Sequence, residues 1–234
     1  MNYKEIKISE DETHFLYKGQ NLFNTNFKQV LKFHSEGFAP VSDETGWFHI
    51  NLKGEPIYNK RYKRTFGYYF EKASVKDSNG NWFHIDIKGN RIGKSSYAWC
   101  GNFQEDICTV RDNENNYFHI DKLGQRIYTE NYTYTGDYKD GIACVRLKNG
   151  KYKHINSTGN DLNSLKFNDL GVFHKSYATA MDKKGWFHIN REGEELYKER
   201  YKTIEPFYNG ISIIETMLSE KKLIDETGVI VCVL

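Results

Sequence analysis

Six of the eight histidines, His14, His49, His84, His119, His154 and His188, recur at intervals of 35 or 34 residues. Imidazole near neutral pH is a metal ligand, a general acid or base, or a pH-sensing group, so this column is the first place to look for chemistry. In an extended strand Trp47, His49 and Asn51 face one way while Phe48 and Ile50 face the other, which sets each histidine between an aromatic and an Asx residue on one surface. On one expectation the imidazoles converge as a ring or ladder on a metal, phosphate or pH-sensing site. On the other, each ring nitrogen is hydrogen-bonded to an Asx side chain or a neighbouring backbone group inside its own repeat. Packing is favoured, because a site needs an asymmetric set of ligands, whereas a residue kept in every copy meets a demand common to every copy. Zinc needs its ligands at about 2 Å, which one histidine per unit supplies only where copies converge. No metal or cofactor is expected.

The four cysteines include no CxxC pair. Cys108 shares a small-residue column with Ala73, Ala143, Ala178 and Ser212; Cys144 falls one place later, with Ala39, Ser74, Thr109 and Thr179. Both read as fillers, and their offset points them to opposite faces of a strand. The chain has no P-loop, nucleophile elbow or HExxH, and no GxGxxG follows a strand, so no catalytic residue is expected. Residues that break the repeat are the other binding candidates. Trp99 and Arg111 are individual to one copy and are types that dominate recognition hot spots. His174 and Lys175 follow Phe173 in the fifth unit, which departs most from the pattern. The candidate binding residues are therefore His49, His84, His119, His154, His188, Trp99, Arg111, His174 and Lys175. Arg61-Tyr62-Lys63-Arg64 with Tyr68-Tyr69 is the best local instance of basic and aromatic residues that stack single-stranded nucleic acid. Tyr62 and Tyr68 belong to repeat columns expected in the core, which disfavours a nucleic-acid partner.

The elements that must position these residues follow from the period. Aromatic anchors stand at Trp47, Trp82, Tyr117, Tyr152 and Trp186, and the register extends back to Glu12-Thr13-His14-Phe15 and forward to Lys221-Lys222-Leu223-Ile224. Two degenerate copies thus flank five good ones, as capping repeats do. Seven residues after each anchor is a glycine: Gly19, Gly54, Gly89, Gly124, Gly159, Gly193 and Gly228. An aromatic precedes most anchors by fourteen residues, at Phe33, Tyr68, Phe103, Tyr138 and Phe207, with Phe173 at thirteen. Period-2 runs such as Ile107-Cys108-Thr109-Val110 and Tyr117-Phe118-His119-Ile120 read as strands, and the Asx- and glycine-bearing segments between them as hairpin turns. The unit is a β-meander of three or four short strands, with the repeated glycine in a left-handed turn position.

The hairpin Trp-x-aromatic-Ile-Asp-x-x-Gly, followed by a Tyr-containing segment such as Pro56-Ile57-Tyr58 or Arg126-Ile127-Tyr128, resembles the bacterial WG β-repeat family over nearly the whole chain. Phe48, Phe83 and Phe187 stand where that family has its glycine, and His49, His84 and His188 replace the following aromatic, as in a histidine-bearing variant. The resemblance implies a β-repeat interaction module without common catalytic residues.

The fold expected is all-β, with seven tandem antiparallel meanders in one repeat domain over 1–234. A degenerate copy covers about 1–26, regular repeats about 27–200, and a second degenerate copy about 201–234. A β-propeller-like ring is favoured slightly over an open superhelical array. Lys and Arg number 33 against 31 Asp and Glu, a net charge of +2, which selects no partner class. The start MNYKEIKISE has no apolar signal segment, and a reducing cytoplasm is the expected location. Function is expected to be non-enzymatic recognition or scaffolding of a protein partner. The alternative is a small-molecule or nucleotide sensor using the histidine face, with an enzyme third.

Overall fold

The computed structural model describes residues 1–234 and contains no helix longer than the 3-10 turn Tyr3–Glu5. No helix is long and apolar enough to cross a membrane. Seven separate antiparallel sheets follow one another along the chain. The first joins Ile6–Ile8, Phe15–Tyr17 and Gln20–Asn21; the second joins Gln29–Val30, Ala39–Asp43 and Gly46–Ile50. The third has four strands, Arg64–Thr65, Lys72–Lys76, Trp82–Asp86 and Arg91–Tyr97. Three three-stranded sheets come next, built on the hairpins 107–121, 142–156 and 178–189. The last joins Thr203–Ile204, Ile211–Glu215, Lys221–Asp225 and Ile230–Val233. The chain divides into two compact units, residues 1–115 with 119–126, and 116–118 with 127–234. The 35-residue register runs through that division unbroken in sequence.

The turn chemistry is as the residues dictate. All seven column glycines have positive φ, from +75° at Gly124 to +86° at Gly193. The Asx residue three places before each glycine, in every copy but the first, caps the turn. Asn51 Oδ1 accepts from the N–H groups of Lys53 and Glu55 at 2.8 and 3.1 Å, and Asp86 Oδ1 does the same for Lys88 and Asn90.

The pairing register moves one residue from its expected column. Ala39 lies opposite Ile50, as Ala73 lies opposite Ile85, Ala143 opposite Ile155 and Ala178 opposite Ile189. Ala39 therefore belongs with Ala73, not with Ser74. The hairpin loop 43–46 is one residue shorter than its counterpart 77–81, and the segment between Phe33 and Ala39 is one longer. The two changes cancel in the anchor spacing and so leave no trace in it.

Both faces of the anchor strands are buried. Trp47 through Ile50 and Trp82 through Ile85 are covered without alternation. On one side the Arg61 guanidinium lies 3.7 Å from the Phe48 ring. On the other, the Tyr68 ring of the following sheet packs on His49 with centroids 4.5 Å apart. Ring contacts at the same place join His84 to Phe103, edge to face, His154 to Phe173, tilted, and His188 to Phe207, stacked. Isoleucine at Ile50, Ile85, Ile155 and Ile189 is fully buried and forms the floor of each core.

Candidate functional site

Four histidines of the column bond forward to the next sheet, so the expectation of bonding inside one repeat is corrected for their Nε2 atoms. Nε2–H donates to a backbone carbonyl seventeen residues on: His49 to Phe66 at 2.8 Å, His84 to Gly101 at 3.0 Å, His154 to Gly171 at 2.8 Å and His188 to Glu205 at 2.9 Å. Because a carbonyl only accepts, this bond fixes the Nε2–H tautomer. Nδ1 is then an acceptor, and the hydroxyl of Tyr58 donates to His49 and that of Tyr197 to His188, both at 2.5 Å. Gly93 and Asn163 stand where those tyrosines stand in the other repeats, and there Nδ1 of His84 and of His154 is buried without a partner. His14 leaves the pattern: half-buried, it faces the Thr13 hydroxyl at 3.1 Å and Asp11.

Burial pushes the pKa of His49, His84, His154 and His188 down to about 4, against the partial support of each carbonyl bond. These rings are neutral at physiological pH. His119 is fully buried as well. The column histidines do not gather: no group of three or more His, Cys, Asp or Glu side chains is placed to hold a metal. Cys108 and Cys144 are buried fillers, Cys108 beside His84 Nε2 at 3.5 Å and Cys144 donating to Leu170 O at 3.2 Å. Burial raises the Cys144 thiol to about 12 and also drives up Cys100, so neither is a ready nucleophile.

The residues that break the repeat divide. His174 packs against Tyr208 with tilted rings 4.7 Å apart, while Lys175 is exposed with φ +59°. Trp99 faces Arg111 across the pair of strands Trp99–Cys100 and Ile107–Arg111 and is 39% exposed. Trp99 also lines a cavity of about 550 Å³ with Phe66, Tyr69, Arg64, Lys32 and His34. No carboxylate lines this cavity. Arg64 is held in place by the Trp47 ring at 4.1 Å and by the Gln29 amide oxygen at 3.3 Å, with the Glu12 carboxylate near enough to favour its charge. His34 lies edge-on to Tyr69 at 4.7 Å and occupies the space that a side chain at Gly67 would need.

The cavity was absent from the sequence reading, although its walls share one phase of the repeat. Leu31, Phe66 and Gly101 are 35 residues apart, as are His34 and Tyr69. The signal that could have found it is the free variation of the position after the repeated aromatic, His34, Tyr69, Gln104, Lys139 and Tyr208, since a column released from packing is one that faces an opening. Arg64 and Tyr69, grouped in sequence as a basic aromatic stretch, meet here; Tyr62 and Tyr68 are core.

Residues 120–152 and 186–216 match the model of the WG containing repeat. Among curated proteins, none matches the sequence. A crystal structure of BamB from Moraxella catarrhalis is similar to 98% of this chain and 86% of its own, with 12% identity and a TM-score of 0.50. The computationally designed protein Ika8 gives the same identity and TM-score over 98% of this chain and 83% of its own. At that identity the likeness shows the fold alone, which is all-β and β-propeller-like. The two matched segments support a WG-containing repeat family, and their columns of aromatic, Ile, Asx and Gly residues recur along the chain.

Proposed function

We propose that this chain is a non-enzymatic recognition module, and that its site is the cavity at Trp99, which takes an acidic segment of a protein partner carrying an aromatic or apolar anchor. The cavity itself supports this. Phe66, Tyr69 and Trp99 offer flat apolar area, while Lys32 and Arg64 offer positive charge, and no carboxylate is in the lining. Aromatic and arginine residues in one pocket are the usual anchors of protein recognition. His49, His84, His154 and His188 are neutral, buried and occupied in joining sheets, which leaves them no part in binding. A reducing cytoplasm suits the chain, whose four cysteines are all free.

A second reading is favoured by size: about 550 Å³ is within the range of small-molecule sites, so a small aromatic anion such as a nucleoside phosphate would also fit. Fluorescence anisotropy with labelled peptides having Asp and Glu around a central Trp or Phe separates the two. Binding should weaken about tenfold or more in Trp99→Ala and in Arg64→Ala and fall as salt is raised. Peptide binding unchanged in both variants would remove the cavity from the proposal. Thermal stabilisation by nucleoside phosphates, with no peptide binding, would put the second reading first.

A further inference from the structure

His34 is the one histidine in the lining of the Trp99 cavity, and it lies outside the repeated column, directly after Phe33. The rings of His49, His84, His154 and His188 are engaged with backbone carbonyls, whereas neither nitrogen of His34 has a hydrogen-bond partner in the protein. The ring is nevertheless held. A Cβ built on Gly67 would fall 2.0 Å from its Nε2 and 2.2 Å from its Cδ2, so the imidazole occupies the gap that a side chain would fill. Gly67 has no positive φ; what calls for glycine there is room for this ring and not the backbone conformation. The Tyr69 ring meets the imidazole edge-on with centroids 4.7 Å apart. A side chain placed in advance loses little freedom when a ligand arrives.

Lys32, His34 and Tyr69 form a wall shared by the Trp99 cavity and a second cavity of about 560 Å³, which Lys4 and Glu36 also line. Around the imidazole, three cations, Lys4, Lys32 and Arg64, stand against the single carboxylate of Glu36. The other titratable neighbours, Tyr3, Tyr68, Tyr69, Cys100 and His49, carry no charge near neutral pH. Burial and then Lys32 hold the His34 pKa below the ordinary 6.5, against the opposing pull of Glu36. In the chain alone the ring is therefore neutral above that value. A carboxylate brought against it supplies the missing counter-charge and favours the protonated form.

We propose that His34 is a third cationic contact of the Trp99 cavity, taking up a proton as an acidic segment binds there. The assignment rests on that cavity being the recognition site. Lys32 and Arg64 are charged throughout the neutral range, so of the three only His34 turns a change of acidity into a change of affinity. The sign follows from the uptake. Binding tightens as pH falls below the pKa that the ring has in the complex, and levels off below the pKa that it has in the chain alone.

The test is the anisotropy titration with a peptide of Asp and Glu around a central Trp, carried out at about pH 8, 7 and 6 and fixed ionic strength, where the peptide carboxylates stay ionised. Circular dichroism confirms a folded chain at each pH. Affinity should rise about three- to tenfold from pH 8 to pH 6, which corresponds to a pKa moved up by as much as about one unit on binding. His34→Gln fills the gap on Gly67 with a neutral side chain and should flatten this profile. Glu36→Gln removes the carboxylate that favours the charged ring and should move the rise to lower pH. A flat wild-type profile, or an equal rise in His34→Gln, would overturn the proposal while leaving the cavity as the recognition site. Absence of peptide binding to wild type at every pH would overturn the recognition reading and this inference with it. Should His34→Gln lose the fold, the His34 Cε1–H resonance of the wild-type chain decides: its titration midpoint should move up in saturating peptide, and an unmoved midpoint would overturn the proposal.

Discussion

Tyr58 and Tyr197 lend a hydroxyl to the histidine nine residues earlier; where the column holds Gly93 or Asn163, the same histidine atom is buried and unsatisfied. A buried acceptor without a partner costs about 1–3 kcal/mol. Tyr58→Phe should therefore lower stability by about that amount, read as a shift in the urea midpoint with an unchanged slope. The same rings make the fold acid-sensitive. Folded, four histidines titrate near 4 instead of the ordinary 6.5. Between those values the unfolded chain takes up protons that the folded chain refuses, so stability is full above pH 6.5 and falls as pH falls toward 4. Each histidine can withdraw up to about 3 kcal/mol, and four together are comparable to the whole stability of a typical domain. Circular dichroism against pH should show unfolding with a midpoint above pH 4; native signal retained at pH 4 would contradict the burial of these rings. At this scale the sequence displays which residues recur and on which side of a strand they fall. It does not display what covers that side, since Phe66 O and Gly101 O reach their histidines from seventeen residues away through the stacking of sheets.

Among the elements, the glycine turns were legible down to their backbone conformation, because only a residue without Cβ takes positive φ freely seven times over. Their second duty was not. Gly89 supports the Tyr58 ring from the preceding repeat, a contact 31 residues long that no local pattern encodes. Gly141 offers the comparison: its φ is +75°, close to the +76° of Gly89, but a Cβ there meets nothing within 4 Å. Gly141→Ala should then cost only backbone strain, about 1 kcal/mol, whereas Gly89→Ala adds a clash and should cost about 3 kcal/mol or more. Chemical denaturation of the two variants side by side measures the difference, and equal losses would show that the ring exerts no pressure on Gly89. The displaced register of Ala39 escaped sequence reading for a related reason: a residue lost from one loop and gained in another leaves every anchor in place.

In the whole molecule, bonds between sheets join neighbours in sequence, so stability is a sum over units and their joints instead of one indivisible transition. Gly89→Ala should accelerate amide exchange most over 47–126, and residues 127–234 should keep nearly their original protection. Uniform acceleration along the chain would mean that the two compact units unfold together. The fold was legible because repetition multiplies a weak signal sevenfold. The cavity at Trp99 was less so, because its walls come from four successive sheets and only Trp99 was marked by departing from its column.

The forward bond from histidine to carbonyl and the ring on the glycine both run from one position of a unit to a fixed position of the next, and nothing in either contact identifies the unit by number. Duplicating the 35 residues Trp47 to Asn81, for instance, would leave each copy of His49 facing a carbonyl and each copy of Tyr58 facing a glycine. Recombination can thus change the copy number of this chain in whole steps. A single inserted residue must be balanced within its own unit, as the segment between Phe33 and Trp47 records.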